Sequence, residues 1–325
     1  MENQGQVAME TTADLNGVPS LEGIESPPLT FFQLVWLRFK RHKMAVFGIV
    51  VLVLLILYST LGALFFTEAE ANITDTSIRL SPPSAEHPFG TDPIGRDILA
   101  RTIFGGQISL MIGFVAVLVE VIIGVLIGAI AGYFGGVIDN ILMRFTEAMF
   151  NVPQLPLLLV LGKVLADKVP PITIIGREFS GSVVVIIAVI GLTSWMGLAR
   201  IVRANFLSLK EQEFVTAAHC IGTGNASIIF AHILPNTMAP IIVNATLGVA
   251  YAIINEAYVS FLGVGVLPPT ATWGNMLNGA YRYIESAPWL WIFPGLFIVL
   301  TVLSINFIGD GLRDALDPHA LIDLN

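Results

Sequence analysis

Charge is what this sequence has least of. Of its 325 residues, 12% are Asp, Glu, Lys or Arg, against about 25% in an ordinary soluble domain. A surface so poor in charge cannot face water over its whole area. The hydrophobic share is 55% and the mean hydropathy is +0.79. This composition excludes a soluble enzyme, excludes disorder for most of the length, and fits a polytopic membrane protein. Cysteine is also scarce. The one thiol, Cys220, forms no internal disulfide and builds no metal cluster. A basic nucleic-acid patch is missing as well. The net charge is −8, and Glu2, Glu10, Asp14, Glu22 and Glu25 in the first 28 residues supply five of those units with no Lys or Arg among them.

Several motifs are absent. There is no G-x-x-x-x-G-K-[ST] phosphate loop, no H-E-x-x-H zinc pair and no G-x-S-x-G nucleophile elbow. An ATP-driven function therefore needs the nucleotide to be hydrolysed on another subunit. The N-terminus lacks the pattern of a secretory signal, since its apolar run starts late and no small-residue cleavage site follows.

What is present is a series of apolar runs. A membrane span needs about 20 of them in a row. Six stretches qualify: 44–66, 108–132, 140–162, 183–199, 238–266 and 289–309. Lys and Arg near the spans set orientation. Arg38, Lys40, Arg41 and Lys43 precede the first span, and placing them in the cytoplasm puts both termini there. The expected order is a disordered acidic tail (1–28), an amphipathic lead-in with the first span (29–66), an external segment (67–107), a core of five spans with a cytoplasmic loop at about 200–237 (108–309), and a C-terminal cytoplasmic tail (310–325).

The loop between spans four and five is the most informative stretch. Ser208 and Glu211 have the spacing of a capping box. Phe214, Ala218 and Ile221 fall on one helical face, and Gly222 with Gly224 end that helix in a turn. A second short helix carries Ile228, Ile229 and Ile233, and Leu234-Pro235 ends it. Such a knob is either a membrane-surface hairpin or a docking element for a cytoplasmic partner. His232 and Asn236 are placed to cap its second helix.

Ala217-Ala218-x-x-x-Gly222, followed after nine residues by His232-Ile-Leu-Pro-Asn236, resembles the "EAA" loop of ABC importer permeases. Further blocks extend the resemblance to the oligopeptide/dipeptide/nickel branch over about residues 30–318. They are Arg38–Val46, His87–Asp97, Gly132-Tyr-Phe-Gly-Gly136 with Asp139 and Arg144, Ser260–Gly265 with Pro268-Pro269 and Trp273-Gly274, and Gly309–Pro318. The resemblance implies an all-α polytopic membrane protein of six transmembrane helices, with a type I importer permease fold and a cytoplasmic coupling helix. It implies docking on the ATPase through Glu213, Thr216, Ala217, Ala218, Gly222, His232, Pro235 and Asn236. It also implies the partners: a second homologous permease, two ATPase subunits that bind ATP and Mg, and an extracellular or periplasmic substrate-binding protein. It implies that this chain lies in the cell or inner membrane of a bacterium or archaeon. No catalytic residue, cofactor or metal is expected in this chain. Two departures stand out. The family's Glu-Ala-Ala is Thr216-Ala217-Ala218 here, and His219, Ser227 and Ala231 stand where basic residues are common.

Charge inside a span is costly and usually faces protein or water. Glu120, Asn151, Asn255 and Glu256 are the candidates for a translocation path. For the two glutamates a helix–helix hydrogen bond is the alternative. Arg144 and Glu147 are spaced to pair. Gly124, Gly128 and Gly132 repeat at the spacing of a close-packed helix face. Pro153 and Pro156 predict a kink in span three. Trp273, Trp289 and Trp291 read as an aromatic belt, and His42 as a solvated interface residue. Gly90-Thr-Asp92 and Gly95-Arg-Asp97 read as binding-protein contacts or as helix caps.

The expected function is a permease subunit of an ATP-driven, binding-protein-dependent importer, with peptide as the leading substrate and nickel, glutathione or oligosaccharide as alternatives. A proton-coupled carrier using Glu120 or Glu256 is the rival reading. An intramembrane enzyme lacks any recognisable nucleophile, metal site or paired carboxylates.

Overall fold

The computed structural model describes residues 30–317 apart from 166–167 and 175–176. The expected acidic tail at 1–28 lies outside the described residues, as does 318–325 of the expected C-terminal tail.

Helix α1 (Phe31–Arg41) starts on a capping box between Thr30 and Gln33. His42 then caps α2 (Lys43–Gly62), its Nδ1 accepting the Ala45 N–H at 3.1 Å. His42 also lies 3.6 Å from Asp314. It is therefore a helix cap and not the solvated residue expected.

The segment to residue 97 holds the short helix α3 (Glu68–Asn72) and a 3-10 turn, Thr76–Ile78. Asp97 caps α4 (Ile98–Phe134), its Oδ1 accepting the Ala100 N–H at 2.8 Å. At 1.5 Å per residue this helix is about 55 Å long, well beyond a hydrocarbon layer of about 30 Å. It begins well before the expected residue 108. Its first turns carry Arg101, 3% exposed, which donates to Asn72 Oδ1 at 2.8 Å.

Span three is two helices, α5 (Gly136–Phe150) and α6 (Gln154–Leu165), bent by 79°. This is a break where a kink was expected. Pro153 and Pro156 lack the N–H groups a continuous helix would use there. At the start of a new helix those donors have no partner in any case.

Two three-residue strands follow, β1 (Ile172–Ile174) and β2 (Arg177–Phe179), paired antiparallel as a small hairpin. Helix α7 (Gly181–Leu209) runs past the expected end at Ala199. Ser208 lies in its last turn, so the expected capping box with Glu211 does not form.

Helix α8 (Glu213–Cys220) follows, then α9 (Asn225–Ser227), a π-helical turn (Ile228–Ile233), α10 (Leu234–Asn236) and α11 (Met238–Phe261). Pro235 was expected to end the second short helix. Instead the π turn, closed by Leu234 N–H to Ile229 O, lets helical backbone pass through the proline.

The last elements are α12 (Trp273–Met276), a 3-10 turn at Ala280–Tyr283, and α13 (Trp289–Leu316). Helix α13 runs through 310–316, so the expected tail at 310–325 is helical there.

Among the described residues five helices are long and apolar enough to cross a membrane, or six if the bent pair α5–α6 is one span. The chain is thus a mostly helical, polytopic protein, with five to six candidate spans where six were expected.

The centre is a parallel pair. Helices α4 and α7 meet along Gly124, Gly128 and Gly132, where added Cβ atoms would meet Leu198, Ala199, Val202 and Phe206. Helix α11 packs antiparallel to α4, with Gly113 against Ile253 and Gly248 against Val117. Helices α2 and α13 flank this group, with Gly48 against Ser304 and Gly311 against Ala45. The bundle has one end that holds α12 and another that holds α8.

At the α12 end, Trp273 is fully buried, and its Nε1 donates to Thr102 O at 2.9 Å. Trp289 donates to Thr91 O at 3.1 Å. Neither is the belt residue expected. Trp291 is exposed. Asp97 and Asp92 cap and brace this end: Asp97 Oδ2 lies 2.7 Å from His87 Nδ1, and Asp92 accepts from Arg96 Nε at 2.6 Å.

Candidate functional site

Two features stand apart from the packing: a cleft on the flank of the bundle and an exposed helix at one end.

The cleft has a volume of about 610 Å³. Helix α4 contributes Glu120, the α5–α6 break contributes Gln154, and α7 contributes Thr193 and Ser194. Helices α11 and α13 contribute Asn244, Tyr251 and Asn306. The break is what opens it. By turning away at Asn151–Pro153, the chain leaves one side of the middle of α7 without a full-length neighbour. Gln154 then bridges the gap, its Nε2 3.3 Å from both Thr193 Oγ1 and Ser194 Oγ, while its Oε1 accepts from Tyr251 OH at 3.0 Å.

Of the four residues proposed for a path, only Glu120 lines the cleft. It is 7% exposed and makes no hydrogen bond to any described residue. Asn151 sits at the end of α5, its Nδ2 donating to Glu147 O at 2.7 Å. Asn255 is buried, and its Nδ2 has no partner among the described residues.

Glu256 is fully buried and acts as a joint. Its Oε1 accepts from Ser260 Oγ at 2.7 Å and its Oε2 from Ser109 Oγ at 3.3 Å. Ser109 Oγ in turn accepts the Trp273 N–H, and Ser260 Oγ accepts the Val266 N–H, both at 3.1 Å. One carboxylate thus ties α4, α11 and α12 together. These bonds make the helix–helix contact that is the alternative to a path position.

Glu256→Gln keeps an acceptor for one serine, and we expect the folded chain to be recovered at near the native yield. Glu256→Leu leaves both serine hydroxyls without their acceptor and is expected to cost about 2 kcal/mol or more. Thermal unfolding of the purified variants in detergent checks the difference; equal unfolding temperatures for the two variants would contradict it.

The polar lining of the cleft could not be found from local spacing. Gln154, Thr193, Ser194, Asn244, Tyr251 and Asn306 come from four separate elements. The available signal was polarity within apolar runs: Asn244 and Asn306 interrupt spans five and six.

The exposed helix is α8. Val215 and Ala218 face inward and join a core of Leu198, Val202, Phe206 and Ile233. Phe214 and Ile221, expected to share one face with Ala218, are exposed, with Ile221 at 84%, while Ala218 is buried. Glu213, Thr216, Ala217 and Cys220 form the outer face at i, i+3, i+4 and i+7. Gly222 ends the helix at φ +78°, with Thr223 N–H donating to Ala218 O at 3.0 Å.

His232 is half-buried, and Pro235 and Asn236 are exposed. Asn236 Nδ2 donates to His232 O at 2.7 Å. Tyr133 OH donates to Asn225 Oδ1 at 2.9 Å, fixing α9 to the end of α4. At the same end Arg203 donates to Asp139, with Nη2 to Oδ2 at 2.6 Å, while Arg144 pairs with Glu147 at 3.3 Å. Among the described residues no group of three or more His, Cys, Asp and Glu side chains is placed to hold a metal ion.

Comparison with known proteins places this geometry. A family model described as "Binding-protein-dependent transport system inner membrane component" matches residues 124–321. One described as "N-terminal TM domain of oligopeptide transport permease C" matches residues 30–83. The chain is 44% identical over 285 residues to a putative peptide permease protein of Brucella suis biovar 1, covering 87% of this chain and 89% of that one. It is 42% identical over 283 residues to the oligopeptide transport system permease protein of Escherichia coli, covering 86% and 89%. It is 39% identical over 299 residues to a dipeptide transport system permease protein of Bacillus subtilis, covering 91% and 88%.

Proposed function

The chain belongs to the binding-protein-dependent transport system inner membrane components, and on that premise we propose that it is one of two permease subunits of an ATP-driven peptide importer. Its relatives carry peptide, dipeptide and oligopeptide permease names, which supports peptide as the solute class. The chain's own part is passive: it shapes a path and moves, while partner subunits hydrolyse ATP.

The observation that carries this reading is the pairing of an open-sided polar cleft with a projecting, core-anchored helix. The cleft is an incomplete wall. A second permease packed on that flank would close it into a path with Glu120 and Gln154 at mid-depth. Helix α8 would face the cytoplasm and seat its outer face, Glu213, Thr216, Ala217 and Cys220, in a groove of an ATPase subunit. Small Ala217 allows close approach. Val215 and Ala218 transmit the push, because both are packed against Phe206 and Ile233 at the ends of α7 and the π turn. Movement of α8 therefore moves α7 and α11, two of the helices that border the cleft. Alternating access then follows as the cleft opens first to one side and then to the other.

Cys220 makes a direct test possible, since it is the chain's one cysteine and is exposed. Treating the purified, membrane-embedded complex with a short bifunctional thiol reagent is expected to join this chain to an ATPase subunit carrying a cysteine at its membrane-facing groove. Cross-linking that requires no ATPase and joins only permease chains would sink the docking assignment.

A further inference from the structure

We propose that the cleft recognises a short peptide by both of its charged ends, with Glu120 taking the α-ammonium and Arg200 taking the α-carboxylate. The proposal rests on the peptide reading above.

Three arginines gather at the α8 end of the same seam. Arg144, Arg200 and Arg203 line a polar recess of about 290 Å³ between α5 and α7. Two of them are already matched. Arg203 binds Asp139 through two nitrogens, and Arg144 pairs with Glu147. Arg200 has no carboxylate partner among the described residues. Its guanidinium lies over the Phe150 ring, 4.3 Å from the centroid, and the residue is exposed. Phe150 also lines the main cleft. Arg200 thus lies beside the cleft, held against the ring of one of its lining residues. A ring holds a guanidinium less tightly than a carboxylate does, since two charge-assisted hydrogen bonds exceed one exposed cation–π contact. An arriving carboxylate would draw Arg200 off Phe150.

The spacing selects the ligand. Val119 of α4 sits against Gly191 of α7, and Gly124 sits against Leu198. Glu120 is therefore level with about residue 193 of α7. Arg200 is about seven residues further along, or about 10 Å at 1.5 Å per residue. An extended peptide covers about 3.3–3.6 Å per residue. Three residues therefore span from Glu120 to Arg200. The lining between them offers Gln154, Thr193, Ser194 and Asn244, which suit peptide N–H and C=O groups and leave side chains unread. Among the residues lining the cleft, Glu120 is the one carboxylate. The polarity of the pair would carry the peptide amino end at mid-depth and the carboxylate end toward α8.

The test uses the complete importer, with its binding protein and ATPase subunits, in liposomes. Initial uptake of labelled trialanine is compared with that of its C-terminal amide. Arg200→Gln is expected to reduce free-acid uptake about tenfold and to change amide uptake less than about twofold, in line with loss of a charge-assisted contact. Arg200→Lys keeps the charge and should restore most of the rate, which a purely structural role would not predict. Glu120→Gln should show the mirror pattern, sparing N-acetylated trialanine.

Equal loss for acid and amide, or equal loss with Gln and Lys at position 200, would overturn the proposal. So would a loss that follows the anionic-lipid content of the liposomes, which assigns the guanidiniums to the bilayer. If the binding protein delivers no amide, the Gln and Lys comparison on the free acid decides. If trialanine moves normally in Arg200→Gln, the end-recognition fails and the peptide reading stands. If the unaltered importer moves no peptide but moves another solute, both fail.

Discussion

Gly128→Val is expected to abolish recovery of the folded chain. An added Cβ at Gly128 would sit 2.5 Å from Ala199 O and 2.7 Å from Val202 Cβ. The first of these is backbone on α7, so no rotamer change relieves it. Helices α4 and α7 would have to separate along the parallel seam that forms the centre of the bundle. Overpacking of this kind costs about 1–3 kcal/mol where side chains can shift, and more where they cannot. Most folded domains hold only about 5–15 kcal/mol in reserve. Gly295→Ala in α13 is the control, because nothing lies within 4 Å of its added Cβ. Size-exclusion profiles of the two variants after mild solubilisation check the contrast. A monodisperse peak at native yield from Gly128→Val would contradict the close-packed seam.

Gly222→Val is expected to leave the chain folded and assembled but to uncouple ATP hydrolysis from transport. The added side chain meets no atom within 4 Å, so packing is undisturbed. The strain lies in the backbone. At φ +78° a residue with a Cβ costs about 1–2 kcal/mol, and a β-branched one does no better. That lowers the population of the native turn about 5- to 30-fold. Helix α8 would still form, but its angle to α9 would no longer be fixed. On the proposed coupling, the push from an ATPase subunit would then fail to reach α7 and α11. The ratio of peptide moved to ATP hydrolysed, measured in liposomes, is expected to fall by about the same factor while the ATPase rate persists. An unchanged ratio would mean that the turn does not set the docking geometry.

The spans were legible because a run of some 20 apolar residues is a signal that packing cannot override. The repeat Gly124-Gly128-Gly132 was legible for a related reason: four-residue spacing on a helix has few uses other than close approach. Helix ends were harder. Helices α4 and α7 continue past the apolar layer at Ile98–Gln107 and Arg200–Leu209, where tertiary contacts such as Arg101 with Asn72 and Arg203 with Asp139 sustain them. The Ser208–Glu211 pair had capping-box spacing, but α7 already occupied Ser208. Pro153 and Pro156 predicted a kink, and the 79° break goes beyond it because local sequence does not hold the long-range contacts made there. The break is supported by Gln154 reaching Thr193, Ser194 and Tyr251, which are distant in sequence. Glu256 reads as a path candidate with a helix–helix hydrogen bond as the alternative. The bonds to Ser109 and Ser260 that bear on that choice are distant or hidden in the sequence. The polar floor of the cleft was hidden as well. No local pattern joins α4, α6, α7 and α11 at one depth.

On the proposed function this chain moves peptide only as a passive half of an ATP-driven assembly. The most direct measurement reconstitutes the purified assembly in liposomes and follows labelled trialanine with and without ATP, the ATPase subunits and the binding protein. Uptake that needs all three, and that ignores a collapsed proton gradient, is the result expected. Uptake by this chain without ATPase subunits, driven by the proton gradient and abolished by Glu120→Gln, would contradict the account and make Glu120 a proton-coupling group.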